Sequence, residues 1–234
     1  MKTALTIAVL LAATPFALAG DDGRQSLDVS SVTAIAVTGD ASVIDLKTAP
    51  DGPFVATLAG RRTGWFARWY SSWSTADCRP SSRMRLDGTT LVVDVTSSSW
   101  FDLSDCTVEL IATVRPQASV SVAQAASQVK LTGDFSTVTL DNEAADFALD
   151  GHAAEIALKS KALRSHLTFD KTRQSETVSI DAEALDVDLA FVAGTAISYT
   201  VTAAASMVDS ALANTPGAKP AIDIRGQFVR ASIR

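Results

Sequence analysis

The side chains in this chain best placed for acid–base chemistry lie around one of its two histidines. If short strands alternate between two sheets, Gln128, Asp146, His166 and Asp186 form one outward column. Lys130, Ala148, Thr168 and Asp188 form the column beside it. His166 would then sit between two carboxylates, an arrangement that can raise an imidazole pKa, serve as an acid–base pair or hold a metal weakly. The plainer reading is a solvated sheet face with its charges in water. Asp181, Glu183, Asp186 and Asp188 are close enough in sequence to cluster, as carboxylates do in some sugar-cleaving β-helices. His152 falls in a turn without an evident partner. No nucleophile elbow, zincin helix motif, phosphate-binding loop or dinucleotide glycine pattern occurs. The expectation is therefore no enzyme, no catalytic residue, no metal and no cofactor.

A second group is built for binding rather than catalysis. All four tryptophans, Trp65, Trp69, Trp73 and Trp100, fall between residues 59 and 107, with Phe66, Tyr70 and Phe101 beside them and Arg61, Arg62 and Arg68 interleaved. Trp65, Trp69 and Trp73 would share one face of a helix. Exposed, Trp65, Trp69, Tyr70, Trp73 and Arg68 suit sugar rings or a partner protein. Buried, they would close the end of a repeat stack, whose core and strand edges need covering in every case. Cys78 and Cys106 bracket the same stretch. In an oxidising compartment they are expected to form one disulfide, contributing roughly 3–4 kcal/mol in the chain-entropy picture.

The elements that would position these groups follow from a nine-residue repeat. Ser119-Val120-Ser121-Val122, Gln128-Val129-Lys130-Leu131, Thr137-Val138-Thr139-Leu140, Asp146-Phe147-Ala148-Leu149 and Glu155-Ile156-Ala157-Leu158 are alternating strands joined by five-residue turns. Side chains alternate faces along a strand, so each apolar pair points one way. Ala126, Phe135, Ala144, Ala153 and Ala162 recur in the turns, where small residues suit a bend around a narrow core. Two strands and two corners make a coil of about eighteen residues in a parallel two-sheeted β-solenoid, its coils about 4.8 Å apart. The pattern returns at Ile35 to Leu46, Val178 to Leu189 and Ile222 to Ile233. Residues 190 to 219 fit it less well; Tyr199, Val201 and Val208 are the candidates there for inward positions. Residues 59–107 break the repeat and read as an insertion.

Residues 1–19 read as a signal peptide: Lys2, an apolar run from Leu5 to Leu11, and Ala17-Leu18-Ala19 as the cleavage motif. Residues 20–234 are then one exported domain, periplasmic or extracellular, and no later stretch is apolar for long enough to span a bilayer. The formal net charge of −6 becomes more negative once Lys2 is removed, which disfavours nucleic acid and anionic lipid as partners.

The opening strand pair VTAIAVTGDASVIDL, the segments LDGTTLVVDV and DCTVELIATVRP, and the short V-x-L repeats together resemble bacterial exported β-strand-repeat families of unknown function grouped with adhesin head domains. The resemblance covers most of residues 29 to 193. It implies a solenoid in the cell envelope with no catalytic residues to carry over. The chain is thus expected to be a non-enzymatic, adhesin-like structural or interaction module that meets an envelope protein or glycan. The alternatives are a carbohydrate-binding module using the Trp-rich stretch, or a polysaccharide-cleaving enzyme.

Overall fold

The computed structural model describes residues 18–19, 24–62, 81–96 and 106–234. Among the described residues, eleven strands form one mixed sheet that coils around a single apolar core. Five strands carry the coil: β3 (Ala34–Thr48), β8 (Ala118–Phe169), β9 (Thr177–Ala190), β10 (Ser198–Ser210) and β11 (Ala221–Ile233). In each coil the valines, isoleucines and leucines at alternate positions point inward. Ile35, Val37, Ile44 and Leu46 are buried in β3, and Val178, Ile180, Val187 and Leu189 in β9. A coil cannot bury these side chains alone, so stacking supplies both the hydrogen bonds and the core.

Parallel pairing sets the stack. β3 pairs with the start of β8, Ile35 opposite Val120 and Ile44 opposite Val129. The end of β8 pairs with β9, Ile156 opposite Val178 and Leu167 opposite Leu189. Between these pairings β8 winds through three layers. On the other side of β3 lies a layer made of two strands, β6 (Thr90–Val95) and β7 (Cys106–Val114). At the far end β11 pairs with β9, and β10 pairs with β11. Counted along the axis, layer one is β6 with β7, layer two is β3, layers three to five are β8, layer six is β9, layer seven is β11 and layer eight is β10. The order is not the chain order at either end. The first coil-forming strand, β3, and the last, β11, are each inserted between two other layers.

Three expectations need correction. The first is the plain single-stranded, two-sheeted parallel solenoid of nine-residue strand–turn units. The sheet is mixed: β2 (Gln25–Asp28), β4 (Val55–Arg62) and β5 (Arg83–Asp87) add antiparallel to layer one through β7 and β6, and β1 (Leu18–Ala19) adds to β2. The five-residue turns are mostly not turns, since strand pairing runs through the corners and lapses at single residues such as Asp40, Lys161 and Gln227. Second, the stretch from 59 to 107 is not a foreign insertion throughout. Its described part supplies β5, β6 and the start of β7, and Leu91 and Val93 are as buried as any repeat residue. Third, neither a disulfide nor an aromatic cluster is present among the described residues, so the expected disulfide-bracketed aromatic unit is not part of the described fold, and its tryptophans lie outside the described residues. Cys78 lies outside those residues, while Cys106 opens β7 opposite Arg62. Among the described residues the ring contact on the coil is a single stack, Phe169 on Phe191 at 4.9 Å.

At each end of the stack one side-chain amide imitates a strand. At one end Gln25 of β2 donates to the carbonyl of Ser82 (2.8 Å) and accepts from the N–H of Met84 (3.0 Å). At the other, Asn214 accepts from the N–H of Tyr199 (3.1 Å) and donates to its carbonyl (2.9 Å). Backbone groups at an open sheet edge would otherwise invite another chain to pair. Tyr199 and Val201 are only half-buried and Val208 is exposed, because β10 is the outermost layer.

Candidate functional site: the first-corner groove

The two corners of each coil differ. At the second corner Phe135 and Ala153 point inward and are fully buried, as the repeat predicts. At the first corner the equivalent residues face out. Ala41, Ala126, Ala144, Ala162 and Ala184 share one register column and are exposed or half-exposed, which reverses the inward position expected for them. The column continues through Phe228 in layer seven to Ala205 in layer eight. Between this column and the column of Gln128, Asp146, Arg164 and Asp186 runs an apolar groove of about 960 Å³ along the stack, with Ala145, Leu163, Leu185 and Val229 lining it between the two. Phe228 and Met207, each 65% exposed, stand at one end of it.

A polar column inside the first corner holds this geometry. Ser42 Oγ donates to Gln124 Oε1 at 2.8 Å, the Gln124 N–H donates to Asn142 Oδ1 at 3.1 Å, and Asn142 Nδ2 donates to Ser127 Oγ. One layer on, Ser160 Oγ donates to the carbonyl of Ala162 at 2.9 Å. These side chains satisfy backbone and one another where the chain bends, with Gln124 Nε2 left buried and without a hydrogen-bond partner among the described residues. They shrink along the stack to Ala182 and then Gly226. A Cβ at Gly226 would lie 2.3 Å from the Ala182 carbonyl oxygen, so the layers close up there and only glycine fits.

One rim of the groove is charged in alternation. Asp146, Arg164, Asp186 and Arg230 occupy successive layers four to seven in one column, with Gln128 before them and Met207 after. All four charged residues are exposed, and none makes an ion pair with a described residue. On the far side of the alanine column, outside the groove lining, Glu143, Lys161 and Glu183 follow in layers four to six, where Lys161 Nζ is 2.9 Å from Glu143 Oε1. The Lys161 pKa is raised by that hydrogen bond and charge, with Glu183 adding to it.

The histidines change roles relative to expectation. The layer-five strand lies two residues earlier in register than expected: Arg164 is opposite Asp186 and His166 is opposite Asp188. His166 therefore does not sit between Asp146 and Asp186. Its Nδ1 is 3.0 Å from Asp188 Oδ2, which Arg234 also contacts, at the surface. His152, expected to lack partners, is fully buried at the second corner. Its Nε2 is 3.0 Å from Glu176 Oε1, and its Nδ1 is 3.2 Å from Asp134 Oδ1 without hydrogen-bond alignment. Lys171 and Arg173 reach Asp134 from the loop between β8 and β9. Burial, the largest influence, pushes the Glu176 carboxyl up. The Arg173 backbone N–H, its own N–H, His152 and the Ser175 N–H together outweigh it, and the net shift is downward. This cluster is closed to a substrate and acts as a clamp on the loop.

The remaining carboxylates do not converge: Asp181 lies before the first corner, Asp186 on the groove rim and Asp188 beside His166. No group of three His, Cys, Asp or Glu side chains among the described residues is arranged to hold a metal ion, and no helix there is long and apolar enough to cross a membrane. Trp65, Trp69, Tyr70, Trp73 and Arg68 lie outside the described residues. The Asp134–His152 juxtaposition was visible in the sequence as one corner position in consecutive coils; Glu176 was not, because it follows an irregular loop.

No protein-family model matches the chain, and no curated protein matches it. Solved structures do. A "putative cell adhesion protein" from Clostridium sporogenes aligns with a TM-score of 0.46 at 8% identity, over 90% of this chain and 96% of the other. A "putative adhesin" from Bacteroides fragilis aligns with a TM-score of 0.27 at 12% identity, over 90% and 95%. A "putative lipid binding protein" from Parabacteroides distasonis aligns with a TM-score of 0.33 at 10% identity, over 90% and 96%. The chain resembles these proteins along most of its length at low identity.

Proposed function

We propose that this protein is a non-enzymatic, exported interaction module of the bacterial cell envelope, and that the first-corner groove is its working surface. The observation that carries the reading is the groove itself. It is an apolar trough along the stack, lined at its base by Leu163, Leu185 and Val229 and edged by exposed alanines on one side and, on the other, by charges that find no ion-pair partner among the described residues. Export rests on the leader-like residues 1–19. An apolar floor with a charged edge is the anatomy of a recognition surface, where desolvated contacts supply affinity and rim charges supply register.

The test is co-sedimentation of labelled residues 20–234 with isolated envelope fragments. Ala162→Arg, which places a long charged side chain on the alanine edge of the groove, should weaken binding at least tenfold while leaving the melting temperature unchanged. Trp65→Ala should bind as the parent does. Binding lost in Trp65→Ala and retained in Ala162→Arg would transfer the function to the Trp-rich stretch and a glycan. Release of soluble sugar from the fragments would make the protein an enzyme.

A further inference from the structure

We infer that the occupant of the groove is a second copy of this chain, docked face to face and antiparallel, about a two-fold axis between layers five and six. The inference rests on the groove being the working surface and adds the identity of what fills it.

The charge pattern selects this arrangement. A two-fold axis lying in the interface, across the stack, brings layer five over layer six of the partner and layer four over layer seven, and keeps the same rim on the same side. Arg164 then faces Asp186 of the second copy, Asp186 faces Arg164, Asp146 faces Arg230 and Arg230 faces Asp146. All four charges, unpaired in the single chain among the described residues, meet an opposite charge. The other face-to-face arrangement, with the axis along the stack, lays each layer on itself and one rim on the other. It would set Asp146, Arg164, Asp186 and Arg230 against the corner column of Ala144, Ala162, Ala184 and Phe228 and leave all four charges without an opposite partner. Four complementary rim pairs select one arrangement over the other, while each adds only a little affinity.

Shape agrees with charge. In a corner column otherwise made of alanines, Phe228 is the one large side chain, and it is 65% exposed. The same axis puts it over Ala144 of the second copy, between Ala126 and Ala162, where no large side chain of the column stands in its way. An isologous contact uses one patch twice, so a single projecting residue and a single hollow, placed at equal distances either side of the axis, suffice. Layers three to eight overlap, a length of about 24 Å at about 4.8 Å per step. A strip this narrow buries less than the roughly 800 Å² per partner of a standard interface, so the dimer is expected to be weak.

Sedimentation velocity on residues 20–234 from about 1 to 500 µM, the range in which an association of about 4–8 kcal/mol is seen, tests this directly. A monomer–dimer equilibrium is expected. Arg164→Glu and Asp186→Arg should each weaken it at least tenfold, since each places two like-charge pairs across the axis. An equimolar mixture of the two variants should recover association, because the carboxylate introduced at position 164 in one copy then meets the guanidinium introduced at position 186 in the other. Phe228→Ala should weaken it as strongly, with the melting temperature unchanged. A chain that stays monomeric throughout, or a dimer indifferent to Arg164→Glu, would overturn the inference. So would single variants that do not rescue one another on mixing. In any of these cases, envelope binding that still depends on Ala162 would leave the groove as the working surface for some other partner.

Discussion

Ser165 shows how closely the inward columns are specified. It stands in layer five in the column of Phe147 and Val187, is buried, and its hydroxyl has no hydrogen-bond partner among the described residues. A buried, unpaired hydroxyl is destabilising, and its small size accommodates the phenyl ring one layer away. Ser165→Ala removes the hydroxyl and keeps the volume, and should raise stability by about 1 kcal/mol in urea unfolding. The Glu176 clamp is the opposite case, a buried charge that is well satisfied. Its folded pKa is lowered below the ordinary 4.5, so its contribution is fully present above that value and is lost as the pH falls through the lowered folded value. The groups facing it are His152 and, through it, Asp134, Lys171 and Arg173. Glu176→Gln should cost about 1–3 kcal/mol at neutral pH, by leaving His152 without its carboxylate. It should also flatten the loss of stability as the pH falls below about 4.5 in thermal unfolding followed across the acid range, since one linked proton is removed. An unchanged pH profile would mean that the clamp does not couple to folding.

At the scale of elements, the threading of β11 is the feature with consequences. β10 touches the stack only through β11, which lies between it and β9 along its whole length. The last strand of the chain is therefore not a dispensable end. Deleting residues 221–234 should release β10 as well, because it would lose its entire parallel ladder and retain little beyond hydrogen bonds at its start, from Ser198 to Ala218 and Pro220 and between Tyr199 and the Asn214 amide. Hydrogen exchange reads this: in the truncated chain the amides of residues 198–210 should exchange at unprotected rates, while those of layers three to five stay protected. Protection of 198–210 in the truncated chain would show that β10 docks directly onto β9. β3 has the same character at the other end, held between β8 on one side and β6 with β7 on the other. Pairing on both faces ties down both coil-forming ends of the chain, which terminal segments seldom are without such a device.

At the scale of the whole molecule, the alternation of Val, Ile and Leu with polar residues determined a great deal by itself. It specified strands, inward faces, a coil of two strands and two corners, and the membership of residues as distant as Ile35 and Ile222 in one core. These are consequences of local period, legible because a strand has no choice about alternating its side chains. Layer order is a different kind of fact. Nothing in the local pattern of β3 or β11 states whether a coil lies at an end or inside the stack, since every coil offers the same apolar face and the same ladder. That choice is made by pairing between segments far apart in the chain, and it turned a supposed insertion into layer one. The corner alanines show the same division. Their recurrence was legible, but whether a small residue at a bend points in or out depends on which neighbour fills the corner. Gln124, Asn142 and Ser160 fill the first corner from within and leave Ala126, Ala144 and Ala162 to the groove, whereas Phe135 and Ala153 fill the second themselves. Sequence alone decided that this chain stacks coils around a dry core; only the tertiary structure decided which coil lies where and which small residues face the solvent, because both depend on long-range register rather than on period.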